Sequence, residues 1–364
     1  MRIAVVLVHY WTPGLAVAAV EALRRDAHAS GIEIQGILID NGNDDSGREL
    51  LRGIGFEYVD PGGNLGFAGG VNVGVAQTQA PVVLAMNPDV HVLPGCLGGL
   101  IRELNGGAEI AGPRFYWDTA CRTLLPPTEE RDRRAEILAR LAVRGEGWAL
   151  RARRHWRRHA RRHWDARDPL PSYSLSGGLL AFTRRAWTRV GPFDEGFRLY
   201  FEETDWLLRA ARLGLAARYV PGAGAIHLHG RSAVQEPRSA DWFADSAWRF
   251  RKLHHGRRFS DFLGWLETRQ HGPALAAPDP IPERGLELAR FSFPLWLEVS
   301  PNETGYPAAA ERLTAAPPAP WEFSPEVLAR VGDTRLDLRL VSERGRELAW
   351  YSLTRSPRRS DMIS

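Results

Sequence analysis

Three short polar stretches carry side chains that can bind a nucleotide or a cation. Asp40-Asn41 places a carboxylate where it can accept a hydrogen bond from a ribose hydroxyl or a base N–H. The glycine-rich stretch from Asn64 to Gly74 lets the backbone approach a pyrophosphate, which the free N–H groups of a helix N-terminus would bind. Asp89, the last residue of an Asn-Pro-Asp sequence, offers a hard ligand for a divalent cation that also touches substrate phosphates.

Each of these stretches also has a purely structural interpretation. Asp-Asn-Gly and Asn-Pro-Asp are both common turn sequences. The small residues at 64–74 are equally suited to tight packing of a helix. Their spacing is not that of the dinucleotide-binding fingerprint, so the sequence does not indicate a dehydrogenase. Taken one at a time, the three stretches leave binding and structural interpretations open.

A second group of titratable residues lies beyond residue 190. Glu202 and Glu203 are adjacent carboxylates near the start of a predicted helix, and either is a candidate general base. Asp205 has the i,i+4 spacing to Arg209 that is typical of an exposed helical ion pair. The imidazole of His227 is a candidate metal ligand, although a single histidine is more often an ordinary polar residue.

The elements that must position these residues alternate between strand and helix. Apolar runs predict strands at 3–8, 34–39, 56–59 and 82–85, with helices at 15–29 and 66–77. This alternation indicates a mostly parallel sheet with helices on both faces, a Rossmann-like α/β fold. Ligands bind such sheets beyond the carboxyl ends of the strands, where all three polar stretches fall.

The rest of the chain departs from this alternation, and the composition predicts the following organisation. We expect a catalytic domain at 1–250 with an arginine-rich helical insertion at 129–168, a connection at 251–284, a small β-rich domain at 285–356 and a tail at 357–364. Residues 334–341 and 346–353 read as a hairpin of the β-rich part.

The arginine-rich insertion contains thirteen arginines against five acidic residues between positions 131 and 168. Its second predicted helix has a stripe of tryptophan and alanine every four residues, from Trp148 through Trp156 to Trp164. A basic helix with such a stripe suits the headgroup layer of an anionic membrane. Packing of the tryptophans on the catalytic domain, with solvated arginines, is an equally good interpretation.

Composition bounds the class of protein. The 364 residues carry a formal charge of +4 and are 44% hydrophobic, which excludes a disordered or fibrous chain and does not by itself indicate a nucleic-acid partner. The two cysteines, Cys96 and Cys121, lack metal-type or redox-type spacing and favour a reducing compartment. Because no apolar run reaches about 18 residues, we expect a cytoplasmic protein, with peripheral contact at the inner face of a membrane left open.

Considered together and in order, these segments resemble the family-2 inverting glycosyltransferases, particularly their rhamnosyltransferase-like branch. The matching stretches cover residues 1–235, and the arginine-rich insertion and the C-terminal third lie outside them. They are Leu38 to Gly42, Asn64 to Gly74, Leu84 to Asp89, Ser176-Gly177-Gly178, Phe193 to Arg209 and His227 to Ser232.

The resemblance implies the GT-A fold and a role for each matching residue. Asp89 is the remaining carboxylate of the family's Asp-x-Asp metal motif, and His227 is the later ligand of a Mg²⁺ or Mn²⁺ ion. Glu203 occupies the position of the family's catalytic base, and Glu202 is the alternative base. The donor site would comprise His9, Tyr10, Asp40, Asn41, Asn64, Gly66, Phe67, Ala68, Asn72 and Asn87. The acceptor site would comprise Gly177, Gly178, Asp205 and Trp206.

Two residues depart from the family pattern. Asn87 replaces the first acid of the metal motif, which leaves fewer charged ligands, and Glu203 is one methylene longer than the usual aspartate.

The expected activity is transfer of a sugar, rhamnose among the possibilities, from a nucleoside-diphosphate-sugar to a glycan or glycolipid in bacterial surface polysaccharide assembly. The alternatives are a transferase acting on a small natural product or protein, a sugar-nucleotide-binding protein without catalysis, and an RNA-binding protein. The last lacks the basic-aromatic modules of known RNA-binding folds, so no nucleic-acid partner is expected.

Overall fold

The computed structural model describes residues 1–42, 45–228, 238–268, 277–282, 284–331 and 335–353. The chain forms two compact units: Met1–Phe115 with Asp165–Ser260, and Tyr116–Trp164 with Asp261–Ser364. The expected tail at 357–364 and the end of the His227 to Ser232 stretch lie outside the described residues.

The helices and strands follow one another in this order along the chain. They are β1 (Arg2–His9), α1 (Pro13–Ala29), β2 (Glu33–Asp40), α2 (Asp45–Gly53), β3 (Glu57–Val59), α3 (Gly66–Ala76), β4 (Val82–Met86), β5 (Val90–Val92), α4 (Cys96–Asn105), β6 (Ile110–Tyr116), α5 (Arg133–Ala142), α6 (Glu146–Trp164), β7 (Leu170–Pro171), β8 (Leu179–Thr183), α7 (Arg184–Val190), α8 (Glu202–Arg212), β9 (Ala217–His227), α9 (Ser239–His255), α10 (Arg257–Glu267), β10 (Asp279–Pro280), β11 (Leu295–Ser300), β12 (Ala309–Leu313), α11 (Pro325–Val331), β13 (Leu336–Ser342) and β14 (Glu347–Leu353).

The first unit is built around a sheet in the strand order β3-β2-β1-β4-β8-β6-β9-β5, with β7 paired to β9. Strands β3, β2, β1 and β4 are parallel, whereas β8 runs antiparallel to β4, and β5 antiparallel to β9. The apolar runs of β1 and β4 are buried along almost their whole length, as expected for central strands of a covered sheet. The predicted α/β class with a large, mainly parallel sheet is confirmed.

The second unit combines the arginine-rich helices with the β-rich C-terminal part. Its sheet has the strand order β10-β14-β13-β11-β12, in which all pairs except β10–β14 are antiparallel. Helix α6 packs its tryptophan stripe on this sheet, where Trp156 and Trp164 share a buried cluster with Trp296 and Val341. The division of the chain therefore differs from the expected one, because the insertion groups with the C-terminal sheet.

Two arginines of α6 are buried in that packing. The Arg157 guanidinium donates from Nε and Nη2 to the two carboxylate oxygens of Glu298, at 2.7 and 2.8 Å. Arg153 pairs in the same way with Glu347, at 2.8 and 2.9 Å. Trp156, Trp164 and these arginines are thus structural, whereas Trp148 is exposed. This corrects the expectation that the tryptophan stripe faces a membrane. The alternative, packing of the tryptophans, holds for Trp156 and Trp164, with the C-terminal sheet in place of the catalytic domain as the surface they contact.

Candidate active site

Two antiparallel strand pairs bring the expected metal-binding and catalytic residues to one end of the sheet. In the β5–β9 pair Val90 lies opposite His227, which places His227 beside Asp89, and the N–H of Leu228 donates to the Asp89 carbonyl at 2.9 Å. In the β4–β8 pair the N–H of Asn87 donates to the carbonyl of Gly178 at 2.9 Å. The backbone pairing therefore gathers residues that are widely separated in sequence.

The side chains of Asp89 and His227 meet at this point. His227 Nε2 lies 3.4 Å from Asp89 Oδ1, and both side chains are largely buried. The His227 ring lies over Gly178, where a Cβ atom would stand 2.8 Å from its Cε1, and the ring of Phe115 is 5.3 Å away between centroids. A side chain at position 178 would displace the imidazole, so the glycine permits this arrangement.

The Asp89–His227 pair fits a divalent cation. Neighbouring ligands of one ion, each about 2.0–2.2 Å from it, lie about 3 Å apart, close to the separation seen here. Within the described residues, no group of three or more histidine, cysteine or acidic side chains is arranged to bind a metal. A cation here would therefore draw further ligands from water and substrate phosphates, as Mg²⁺ commonly does in phosphate-binding sites.

The two expected base candidates begin α8 and have different surroundings. Glu203 is half-buried and lies against Gly177, where a Cβ atom would be 3.4 Å from the Cβ and Cγ of Glu203. Glu202 is buried, and burial together with the neighbouring charge of Glu203 raises the pKa of Glu202 well above its ordinary value. The adjacent residues Gly177 and Gly178 thus contact the base candidate and the metal candidate, respectively.

A backbone turn of unusual conformation precedes these acids. Tyr200 and Phe201 both have positive φ angles, of 64° and 70°, in a region that residues other than glycine seldom adopt. Burial, and then the charges of Glu202, Asp89 and Glu203, raise the pKa of Tyr200. Tyr200 was not among the expected site residues, and the sequence offers no pattern that would have indicated it.

The end of β2 forms a buried hydrogen-bonded cluster around Asp40. Its carboxylate accepts from His9 Nδ1 at 2.9 Å, from the Tyr58 hydroxyl at 2.7 Å and from the Gly42 N–H at 3.0 Å. Burial alone would raise the pKa of Asp40, but these partners outweigh it and lower the pKa. Burial and the hydrogen bond to Asp40 raise the pKa of Tyr58 to about 12.

This cluster corrects the expectation that His9 and Asp40 contact the donor directly. Asp40 is fully buried, and His9 Nε2 accepts the N–H of Thr12 at 2.8 Å. Both side chains therefore position the loop after β1, on which Tyr10 is half-buried next to the exposed Trp11. Sequence analysis missed Tyr58, which lies opposite Leu38 in the β2–β3 pair.

The glycine-rich stretch is organised by two asparagines. Asn41 Nδ2 donates to the Gly66 carbonyl at 2.9 Å, which fixes the start of α3 beside the end of β2. Asn64, exposed, accepts the Gly66 N–H at 2.8 Å. Gly66 has a φ of 71°, and a Cβ atom there would lie 2.8 Å from the Arg198 carbonyl oxygen.

Three donor-site candidates of α3 have structural contacts instead. The Asn72 amide exchanges hydrogen bonds of 3.0 Å with the backbone of Phe193 and donates to Glu195 at 2.8 Å. Phe67 stacks on Phe193 with ring centroids 6.3 Å apart, and the Ala68 side chain is buried in the core. These residues join α3 to the loop before α8 rather than lining an open donor site.

Two of the acceptor-site candidates are also corrected. Trp206 is completely buried in the main core, and its indole N–H donates to the Gly191 carbonyl at 2.8 Å. Asp205 is buried between Arg209 at 2.8 Å and His254 at 2.9 Å, so it stabilises the packing of α8. The contact between Asp205 and His254 spans 49 positions of sequence, so the local sequence does not indicate it.

Comparison with known proteins shows a family likeness. Residues 5–165 match the family model described as glycosyl transferase family 2. This part of the chain is similar to the family-2 glycosyltransferases. The match includes Asp40 and Asp89 and ends before Glu203 and His227. The resemblance to the rhamnosyltransferase-like proteins of this family is confirmed.

Curated relatives and a solved structure are similar to this chain. The N-acetylglucosaminyl-diphospho-decaprenol L-rhamnosyltransferases of Mycobacterium tuberculosis strains CDC 1551/Oshkosh and ATCC 25618/H37Rv are each 27% identical in an alignment of 226 residues. The alignment covers 56% of this chain and 69% of theirs. The mannosyltransferase PcManGT from Pyrobaculum calidifontis, solved in complex with GDP-Man and Mn²⁺, aligns with a TM-score of 0.43 and 11% identity, covering 72% of this chain and 79% of that chain.

Helix length and hydropathy were also compared with the requirements of a membrane span. In the part of the chain that the structure describes, no helix is both long enough and apolar enough to cross a bilayer.

Proposed function

We propose that this chain is a family-2 glycosyltransferase that moves a sugar, with inversion, from a nucleoside-diphosphate-sugar to a hydroxyl group of a glycan or glycolipid. The observation that carries the proposal is the pair of adjacent glycines at one end of the sheet. Gly178 contacts the Asp89–His227 pair, and Gly177 contacts Glu203. A group that can bind a diphosphate through a cation therefore lies next to a carboxylate that can accept a proton.

The donor would bind through its diphosphate. Asp89 and His227 would bind a Mg²⁺ or Mn²⁺ ion, which supplies positive charge to the departing diphosphate. Asn87 and the ends of β1 and β2 lie at the same carboxyl-end edge of the sheet, where nucleotides bind in α/β folds. Asp40, His9 and Asn41 contribute by fixing these loops rather than by touching the donor.

Glu203 is the proposed general base. In an inverting transfer the acceptor oxygen forms a bond to the anomeric carbon while the bond to the diphosphate breaks, and the acceptor proton passes to a carboxylate. Glu202 is buried, whereas a general base must be within hydrogen-bond reach of the acceptor hydroxyl. Glu203, half-buried beside Gly177, is the better placed of the two.

The relatives indicate the biological setting. The mycobacterial proteins are named as L-rhamnosyltransferases acting on N-acetylglucosaminyl-diphospho-decaprenol, so rhamnose and a lipid-linked acceptor are the first substrates to test. Assembly of a bacterial surface polysaccharide is the corresponding proposed process. A cytoplasmic location remains a prediction, and contact with a membrane no longer rests on the tryptophan stripe of α6.

A donor screen tests the proposal. The full chain would be incubated with a panel of nucleoside-diphosphate-sugars and Mn²⁺, with and without a lipid-linked N-acetylglucosamine acceptor, and followed by proton NMR. We expect release of nucleoside diphosphate and a product of inverted anomeric configuration. Retained configuration would contradict the inverting mechanism, and absence of donor turnover with every sugar would indicate a binding protein.

A further inference from the structure

Two exposed aromatic rings meet beside the first turn of α8, the helix that carries the candidate base. Tyr200 is 37% exposed, and Phe243, in α9, is 42% exposed. Their rings lie edge to face, with centroids 5.6 Å apart. We call this pair the Tyr200–Phe243 platform. Because exposed apolar side chains that adjoin one another are less common than single ones, the pair indicates a contact surface.

The backbone turn before α8 directs Tyr200 outwards and Phe201 inwards. Both residues have positive φ angles, of 64° and 70°, which cost free energy in residues other than glycine. Phe201 is buried in an aromatic cluster with Phe197 and Phe250, whereas Tyr200 is exposed. Backbone strain of this kind persists only where the surrounding structure fixes it, and it is concentrated at functional sites. The turn therefore holds one ring of the platform out of the core.

Helix α9 holds the other ring in place. The Phe201 ring contacts both Phe243 and Phe250 of this helix, with centroids 5.4 Å apart in each case. Arg249 Nη2 donates to the two carboxylate oxygens of Asp194, at 2.9 and 2.7 Å, in the loop before α8. Because these contacts anchor α9 on the segment that carries the turn, Phe243 presents a fixed surface rather than a flexible one.

The platform adjoins the groups that would carry out the transfer. Burial, and then the charges of Glu202, Asp89 and Glu203, raise the pKa of Tyr200, so its hydroxyl lies near these acids. A general base must be within hydrogen-bond reach of the hydroxyl whose proton it accepts. A molecule that contacts both Glu203 and the platform is therefore the acceptor, since the donor would bind through its diphosphate at the cation.

The chemistry of the platform favours a neutral sugar ring. A pyranose has an apolar face of C–H groups, which packs on aromatic rings, and a rim of hydroxyl groups, which stays open to the base and to water. The acidic side chains of Asp89 and Glu203 act on the same place, so charge repulsion disfavours a sugar that carries a carboxylate.

We propose that a neutral pyranose of the acceptor stacks on the Tyr200–Phe243 platform and presents its hydroxyl group to Glu203. The inference rests on the proposed glycosyl transfer, and it assigns acceptor binding to two residues outside the expected acceptor site. Removal of the Phe243 ring would then weaken binding of the acceptor and leave binding of the donor unchanged.

Saturation-transfer difference NMR on the full chain, without donor, tests this binding directly. The probes are the methyl pyranosides of rhamnose, glucose, mannose and N-acetylglucosamine, with methyl glucuronide as the acidic comparison, each at about 5 mM because millimolar affinities are expected. At least one neutral probe should give signals, strongest on its ring C–H protons, and methyl glucuronide should give weaker ones. Phe243→Leu, which keeps an apolar side chain without the ring, should lower the affinity at least about fivefold.

Three further variants separate stacking from folding. Tyr200→Ala removes the other ring and should weaken binding to a similar extent, which protects the test if Phe243→Leu disturbs α9. Phe243→Tyr keeps an aromatic ring and should bind the probe within about twofold of the wild type. Trp248→Ala is the matched control, because this exposed ring of the same helix lies beside Lys252, and the variant should bind as the wild type does.

The transfer reaction gives a second readout. With the donor found in the screen and a lipid-linked acceptor, Phe243→Leu should raise the KM for the acceptor at least about fivefold. Hydrolysis of the donor alone should proceed at the wild-type rate, because Phe243 does not contact the donor. An equal loss of both activities would overturn the inference, since it would assign Phe243 to the folding of the site as a whole.

The contradicting results of the binding experiment are equally specific. The inference would be overturned by the absence of signal from every neutral pyranoside, by a stronger signal from methyl glucuronide, or by wild-type affinity in both Phe243→Leu and Tyr200→Ala. Donor turnover without pyranoside binding would leave the proposed function intact and remove only the platform. Pyranoside binding without donor turnover would contradict the proposed function and keep the platform as a sugar-binding surface.

Discussion

His227 Nε2 lies 3.4 Å from Asp89 Oδ1, although 138 positions of sequence separate the two residues. The β5–β9 pairing, in which Val90 lies opposite His227, creates this proximity. Neither residue has the other candidate ligand near it in sequence. The candidate metal site is therefore formed by the antiparallel pairing of β5 with β9. At the same end of the strands, Glu203 lies against Gly177, which precedes β8.

Asp89→Ala should abolish binding of Mn²⁺ in the presence of a nucleoside diphosphate. The substitution removes one of two protein ligands, and loss of one ligand lowers metal affinity by at least about tenfold. Titration calorimetry measures the effect without any need for turnover. Asp45→Ala, at an exposed acid of α2, is the matched control and should bind Mn²⁺ as the wild type does. Unchanged Mn²⁺ affinity in Asp89→Ala would remove Asp89 from the site.

Gly178→Ala should disturb the same site sterically. A Cβ atom at position 178 would lie 2.8 Å from Cε1 of His227, so the imidazole must shift from its present position beside Asp89. We expect donor turnover to fall by about tenfold or more, since small displacements of catalytic groups have large effects on rate. Gly222→Ala, where a Cβ atom meets nothing within 4 Å, is the control. Equal rates for the two variants would show that His227 need not occupy its present position.

Glu202→Gln should make the stability of the protein less dependent on pH. The pKa of Glu202 is higher in the folded than in the unfolded chain, so the folded state binds this proton more tightly. That contribution to stability is complete below the unfolded pKa of about 4.3 and is lost as the pH rises through the folded pKa. The variant should therefore become more stable relative to the wild type as the pH rises above about 4.

Urea unfolding of both proteins across that pH range measures this difference. The exposed acid Glu57 gives the control variant Glu57→Gln, whose stability relative to the wild type should not change with pH. A difference between Glu202→Gln and the wild type that is constant with pH would show that Glu202 titrates normally.

Arg157→Gln should destabilise the protein strongly, whereas Arg158→Gln should not. Arg157 is buried and pairs with Glu298, and removal of one partner from such a pair costs about 3–5 kcal/mol because the other charge stays buried. Arg158 is exposed, and its replacement should change the free energy of unfolding by at most about 0.5 kcal/mol. Similar stabilities for the two variants would contradict the packing of α6 on the C-terminal sheet.

The sequence predicts the parallel half of the first sheet because its strands are unbroken apolar runs. Strand β9, over Ala217–His227, has no such unbroken run. Pro221, Gly222 and Gly224 interrupt its apolar pattern, while pairing with β5 extends it. The strand propensity of residues 217–227 does not predict that pairing, because the partner strand β5 is far away in sequence.

Side-chain roles were harder to predict than strands. The family resemblance placed Trp206 in the acceptor site, yet Trp206 shares one buried helix face with Leu207 and Ala210. The spacing of these apolar residues along the helix indicates that Trp206 faces the core. The burial of Arg157 carried no such signal, since it depends on Glu298, which lies 141 positions away.

The rate of sugar transfer by Glu203→Gln tests the central claim most directly. The amide keeps the size of the side chain and cannot accept a proton, so kcat should fall about 100-fold or more while the Kd for nucleoside diphosphate stays within about twofold. Glu57→Gln should retain the wild-type kcat. Full activity in Glu203→Gln, or a comparable loss in Glu202→Gln alone, would contradict the assignment of Glu203 as the base.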